Sequence, residues 1–200
     1  MWNETTHVVA KLPAMRRHWV GIDYGTSNPI AALLLGHGVD DRLYVCAEWR
    51  HDGRATHRQM TDARYSAAIR GWLSELGIAP EWTSIDPSAA SFSVQMWQDG
   101  HDGLAKATND VGDGIRSVSS ALAAGRLLVH ESCEGLLSEM PSYAWDRKAS
   151  DAGQDRPLKV DYHSVDALRY VVHSTAHEWR HLLTLPAIPE RPRAPSGSRL

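Results

Sequence analysis

The sequence predicts an α/β fold, a mixed sheet in which an antiparallel three-strand meander is followed by parallel strands, with helices on the faces. Three observations predict it. Three apolar runs near the N-terminus are separated only by short turns; the hydrophobic period becomes helical after Thr61; and short apolar runs then alternate with helical segments as far as Leu183.

The meander consists of "RHWVGIDYG" (17–25), "PIAALLLGHG" (29–38) and "RLYVCAEW" (42–49), with "GTSNP" and "GHGVDD" as the turns. Ile69, Trp72, Leu73 and Leu76 then recur at helical spacing, Gly77 marks the stop and Pro80 follows. "WTSID" (82–86) is a short strand running into Asp-Pro. A helix is predicted over 88–98, a strand at "LAKAT" (104–108), and a helix over 112–124 closed by Gly125. "RLLVH" (126–130) reads as a strand and "SCEGLLSEM" (132–140) as a helix ended by Pro141. "DRKASDAGQDRP" (146–157) has the composition of a loop, and a last helix runs from Tyr162 to Leu183. Residues 1–16 therefore read as an N-terminal extension or linker, 17–184 as one domain, and the Pro-rich 185–200 as a flexible tail.

Composition narrows the class. A chain of 200 residues with 42% hydrophobic content and eight Trp builds an ordinary core. No apolar run approaches the ~18 residues of a membrane span, and the N-terminus lacks the pattern of a signal peptide, so the expectation is a soluble intracellular protein. Cys46 and Cys133 lack the spacing of a zinc knuckle or a disulfide scaffold and read as buried thiols. Of 21 basic residues only Lys11, Lys106, Lys148 and Lys159 are Lys. That excess of Arg has two readings, a GC-rich coding sequence or phosphate binding, and the net charge of −3 does not separate them.

In mixed sheets chemistry collects at strand ends and helix starts. The acids there are Asp23 on the first strand, Asp86 at the end of the fourth, and Asp161 and Asp166 at the start of the last helix. They converge if the first and fourth strands are neighbours. Each also has an ordinary structural role: Asp86 before Pro87 suits a strand-to-turn residue, and Asp161 suits an N-cap. Asp113, in "NDVGDGI", suits a helix start. His163 lies three residues before Asp166, on the same helix face. The stretch "EWRHDGRATHRQMTDAR" carries Arg50, Arg54, Arg58 and Arg64 around a turn, either solvated surface or a rim that grips phosphates; Lys148 and Lys159 are similar DNA-binding candidates.

Taken in order, "GIDYGTSNP", "SIDPSAASF", "NDVGDGIRSVSSALAAGRLLVH" and "YAWDRK…GQDRPLKVDYHSVDALRY" resemble the nuclease domain of the large terminase subunit of tailed double-stranded DNA bacteriophages, over about residues 17–175. The resemblance implies a ribonuclease H-like fold and endonucleolytic cutting of concatemeric viral DNA in the host-cell cytoplasm. It implies Asp23, Asp86 and Asp166 as catalytic metal ligands, with His163 near the metal. It also implies an ATPase motor on the same or a separate chain, a small terminase subunit and a portal as partners. Family members commonly carry an acid directly before this His, where Tyr162 stands here. The chemistry agrees: two-metal phosphodiester hydrolysis needs carboxylates holding ions roughly 3.5–4 Å apart, and oxygen ligands suit Mg2+ or Mn2+. Asp23 is the natural bridging ligand.

Other readings compete. "HEWRH" (177–181) matches the H-E-x-x-H zinc protease signature, but a catalytic zinc needs a third ligand, and Glu190 is the sole acid after it; a solvated helix end is simpler. "GIDYGTSN" also looks like the first phosphate loop of the actin and sugar-kinase ATPases, which require a second lobe absent here. A Holliday-junction resolvase would unite similar acids on the same fold, and a non-catalytic module docking to DNA or the portal is the contrasting class. No G-x-x-x-x-G-K-[ST] loop occurs, so these residues do not carry the motor.

Overall fold

A computed structural model describes residues 2–25, 29–53, 60–142 and 162–184. The elements run α1 (Glu4–His7), β1 (Val8–Val9), β2 (Met15–Asp23), β3 (Ile30–Gly38), β4 (Leu43–His51), α2 (Asp62–Glu75), β5 (Trp82–Ile85) and α3 (Ala90–Gln98). They continue with β6 (Leu104–Lys106), α4 (Val111–Ala123), β7 (Leu127–His130), α5 (Glu134–Glu139), α6 (His163–Ser174) and α7 (Ala176–Trp179). Among the described residues no helix is long and apolar enough to cross a membrane.

The seven strands of the described residues form one sheet in the order β1-β7-β4-β3-β2-β5-β6. β2, β3 and β4 pair antiparallel, as expected of the meander. β5 lies parallel to β2, β6 parallel to β5, and β7 parallel to β4. The expected mixed sheet is therefore present, with the first and fourth predicted strands adjacent.

Every residue of β3 is buried, because this central strand is covered on both faces. Strand alternation sorts its side chains. Ala31, Leu33 and Leu35 join Trp19, Val45 and Val129 under Leu168, Val171 and Val172 of α6. Ile30, Ala32 and Leu34 join Val20, Ile22 and Ile85 under Ile69 and Leu73 of α2 and Phe92 and Met96 of α3. Each such aliphatic side chain contributes about 1.5–3 kcal/mol on burial. Gly21 sits where α6 crosses β2: a Cβ there would meet the Ala167 carbonyl oxygen and stand 2.8 Å from Val171 Cβ. Gly77, at φ +67°, ends α2 as its sequence position predicts, and the Ile78 N–H returns to the Leu73 carbonyl at 3.0 Å.

Two features depart from the expectations. The N-terminal extension is integrated: β1 adds an edge strand parallel to β7, with Val8 opposite Val129, and His7 is buried with Nε2 3.2 Å from the Leu122 carbonyl. A two-residue strand is too short to show a period, which is why it was not legible. The last helix is not continuous to Leu183; α6 stops at Ser174, α7 follows, and Arg180–Thr184 is a 3-10 turn. The Thr175 hydroxyl donates to the Val171 carbonyl at 2.6 Å and the Trp179 indole N–H to the Val172 carbonyl at 2.9 Å, and such side-chain bonds bend a helix end. The "GTSNP" turn residues 26–28, the loop 146–157 and the tail 185–200 lie outside the described residues.

Candidate metal centre

The parallel pairing of β2 with β5 sets Ile22 opposite Ile85, so the next residues, Asp23 and Asp86, end neighbouring strands side by side. The Asp86 N–H donates to the Ile22 carbonyl at 3.0 Å and ties the two ends together. The pleat decides direction. Trp19, Gly21 and Asp23 share one face of β2, the face that α6 covers, and α6 carries His163 and Asp166 in its first turn. Asp86 also serves its turn, its Oδ1 accepting the Ser88 N–H at 2.9 Å. The structural role expected for it and the site position coexist.

Asp23 is 8% exposed, and its Oδ2 lies 2.8 Å from His163 Nδ1. Its carboxyl pKa is raised, first by burial and then by the negative charge of Asp166 and Asp86, with the His163 hydrogen bond opposing. Asp166 is also held above the ordinary range. Burial is the main cause, the Arg169 charge and hydrogen bond oppose it, and Asp86 adds to it. Asp23 thus feels both Asp166 and Asp86, and Asp166 feels Asp86. The Tyr170 hydroxyl registers the same charge, its pKa raised by burial and then by Asp86, Asp23 and Asp166. Burial works against a charged His163, yet the bond to Asp23 and the charges of Asp23 and Glu139 outweigh it, and the imidazole pKa is raised. Among the described residues His163 Nε2 is buried without a hydrogen-bond partner.

Three carboxylates, with one imidazole bonded to Asp23, form a donor set that suits a hard divalent cation. Among the described residues no three His, Cys, Asp or Glu side chains are gathered tightly enough to form a finished ligand set.

The other candidate residues distribute differently. Arg50, expected on a DNA-gripping rim, donates from Nη1 to Glu139 Oε1 at 2.5 Å and to Ser164 Oγ at 2.7 Å, with its side chain partly exposed. Arg54, Arg58, Lys148, Lys159 and Asp161 lie outside the described residues. Asp110, not Asp113, caps α4, its Oδ1 accepting the Asp113 N–H at 2.7 Å, while Asp113 stands in the first turn and pairs with Arg116. The H-E-x-x-H stretch breaks between α7 and the 3-10 turn, and Glu178 pairs with Arg17 of β2. Cys46 is half-buried and Cys133 buried; burial pushes both thiols up to about 12, so neither is a ready nucleophile.

Sequence reasoning missed Glu139 and Glu48 as supports of the site and read Arg169 only as a residue that packs and pairs. Glu139 Oε2 accepts the Ser164 and Val165 N–H groups, and the Ser164 hydroxyl donates to Glu48. Arg169 donates from Nε and Nη2 to Asp166 Oδ1 at 3.2 and 3.1 Å and from Nη1 to Asn109 Oδ1 at 3.3 Å. The i,i+3 spacing of Asp166 and Arg169 was a usable signal; nothing local marks Glu139.

No family model matches the chain. A large terminase subunit of Escherichia phage T5 is 26% identical over 159 residues, 78% of this chain and 34% of that protein. The large terminase from a thermophilic bacteriophage, solved in complex with ADP, is 36% identical with a TM-score of 0.79; the match covers 86% of this chain and 42% of that one. The nuclease domain of the large terminase from bacteriophage SPP1, solved with bound Mn, has a TM-score of 0.60 at 16% identity, covering 86% of this chain and 95% of that one. The chain spans less than half the length of the T5 terminase and of the ADP-bound terminase. It is similar in fold to the isolated terminase nuclease domains, a ribonuclease H-like mixed sheet flanked by helices.

Proposed function

We propose that this chain is the nuclease part of a phage large terminase, a metal-dependent endonuclease that cuts concatemeric double-stranded DNA during packaging in the host-cell cytoplasm. The observation that carries the reading is the adjacency of Asp23 and Asp86 at the ends of parallel strands, with Asp166 in electrostatic contact with both. Similarity to the ADP-bound terminase of the thermophilic phage and to the Mn-bound SPP1 nuclease domain supports it. An ATPase motor, a small terminase subunit and a portal are the partners that the terminase setting entails.

Asp23, Asp86 and Asp166 would hold two Mg2+ or Mn2+ ions. Bound, these ions supply activation of the attacking water and charge stabilisation of the leaving 3′ oxygen, giving 5′-phosphate and 3′-hydroxyl ends. The protein's own part is orientation. With Asp23 Oδ2 engaged by His163, Oδ1 remains for coordination. His163 holds Oδ2 from Nδ1 at 2.8 Å. Asp166 has Oδ1 engaged by Arg169 and is left with Oδ2.

The test is cutting of supercoiled plasmid with Mn2+ or Mg2+ by wild type, Asp23→Asn, Asp86→Asn and Asp166→Asn. Loss of cutting in each folded variant, by about 100-fold or more, is expected. Full metal-dependent cutting by those variants overturns the assignment. A wild type that binds DNA but cuts it under no metal favours the docking module, and preference for four-way junctions over duplex favours the resolvase reading.

A further inference from the structure

Arg169 is 4% exposed, yet it carries a charge that a domain interior excludes unless it is paired. Its partners are specific. Nε and Nη2 both donate to Asp166 Oδ1, Nη1 donates to Asn109 Oδ1, and the guanidinium carbon lies 4.6 Å from the centre of the Tyr170 ring. Asp166 is thereby held by one oxygen only. The side chain reaches this position because α4 has no side chain at residue 114: a Cβ on Gly114 would stand 2.5 Å from Arg169 Cγ and 2.8 Å from Cδ. Gly114 has ordinary helical backbone, so no turn requires glycine there. In a helix interior glycine costs roughly 0.5–1 kcal/mol relative to alanine. The space it leaves is filled by the Arg169 stem.

We infer that Arg169 is a positioning residue for the metal ligand Asp166, and that Gly114 and Asn109 form its seat, which makes α4 a working part of the metal centre. The inference rests on the nuclease reading of the acids. Arg169 touches neither substrate nor metal in this scheme; it acts by fixing the Asp166 carboxylate and the oxygen it offers. Lys, a point charge on a flexible stem, cannot reproduce the two N–H donors that converge on Asp166 Oδ1. Orienting partners of this kind change metal affinity by about 10–100-fold when removed.

The experiment measures Mn2+ binding without DNA, by the electron paramagnetic resonance signal of free Mn2+, on wild type, Arg169→Lys, Gly114→Ala and the double variant, with circular dichroism confirming the fold. Plasmid cutting across a Mn2+ titration accompanies it. The expected result is an affinity weakened about 10-fold or more in both single variants, no further loss in the double variant, and cutting that recovers toward the wild-type rate at saturating Mn2+. A purely structural role would lower the melting temperature and leave the Mn2+ affinity of the folded protein unchanged. Unchanged affinity in folded Arg169→Lys overturns the inference while the metal site stands. Should Arg169→Lys not fold, unchanged affinity in Gly114→Ala overturns it equally. A wild type that neither binds Mn2+ nor cuts overturns the nuclease reading and this inference together.

Discussion

Glu139 caps the helix that carries His163 and Asp166: its Oε2 accepts the Ser164 N–H at 2.9 Å, and the Val165 N–H at 3.0 Å. An acid from α5 thereby satisfies two free donors at the start of α6 and places negative charge at the positive end of the helix dipole. Its other oxygen holds Arg50. Glu139→Ala should destabilise the protein by about 2–4 kcal/mol, combining a lost cap with a stranded, half-buried Arg. A urea midpoint equal to wild type would remove this role.

Arg50 distinguishes a structural ion pair from a phosphate contact. Bonded to Glu139 and Ser164, it should contribute to stability and little to DNA affinity. Arg50→Ala should lower the urea midpoint and leave the salt dependence of DNA binding as in wild type. Loss of about one from that slope would return Arg50 to the DNA-gripping rim.

Gly21→Ala probes the approach of helix to sheet. The added methyl would meet the Ala167 carbonyl and Val171, both on the helix that covers β2. Forced separation should cost about 1–3 kcal/mol or more. Because β2 carries Asp23 and α6 carries Asp166, the Mn2+ concentration needed for half-maximal cutting should rise with it. Wild-type stability in this variant would show that the two elements part at no cost.

His101 supplies a pH dependence away from the metal centre. It is buried, shares a 2.8 Å hydrogen bond with Thr83, and has its pKa lowered, chiefly by burial and then by the charge of Arg70. The unfolded chain binds the proton near pH ~6.5, and the folded chain only at lower pH. Unfolding free energy should therefore fall as pH drops below about 6.5, by at most about 1.4 kcal/mol per pH unit for this group. His18 and His37 add to the same limb, their pKa values also lowered by burial. Urea titrations of His101→Gln between pH 5 and 8 should give a shallower acid limb; an unchanged slope would exclude His101 as a contributor.

Much of the sheet was legible because its signals are local. Apolar runs bounded by short turns mark β2, β3 and β4, and glycine at the helix stop marks the end of α2. The acid at the end of β2 and the acid after β5 could be named for the same reason. The ion pair of Arg50 was not legible, because an Arg in a charged stretch has the same local pattern whether it meets phosphate or a glutamate 89 positions away.

The sequence by itself determined which residues turn inward, where strands and helices stop, and that acids stand at those stops. Tertiary structure alone decided their neighbours. β5 could have paired with β4, which precedes it in the chain; instead it lies against β2, and only then do Asp23 and Asp86 meet. The Asp23–His163 hydrogen bond spans 140 positions. Periodicity records how one segment faces the core, whereas partner choice between distant segments depends on how all of them pack at once, and no local run of residues contains that information.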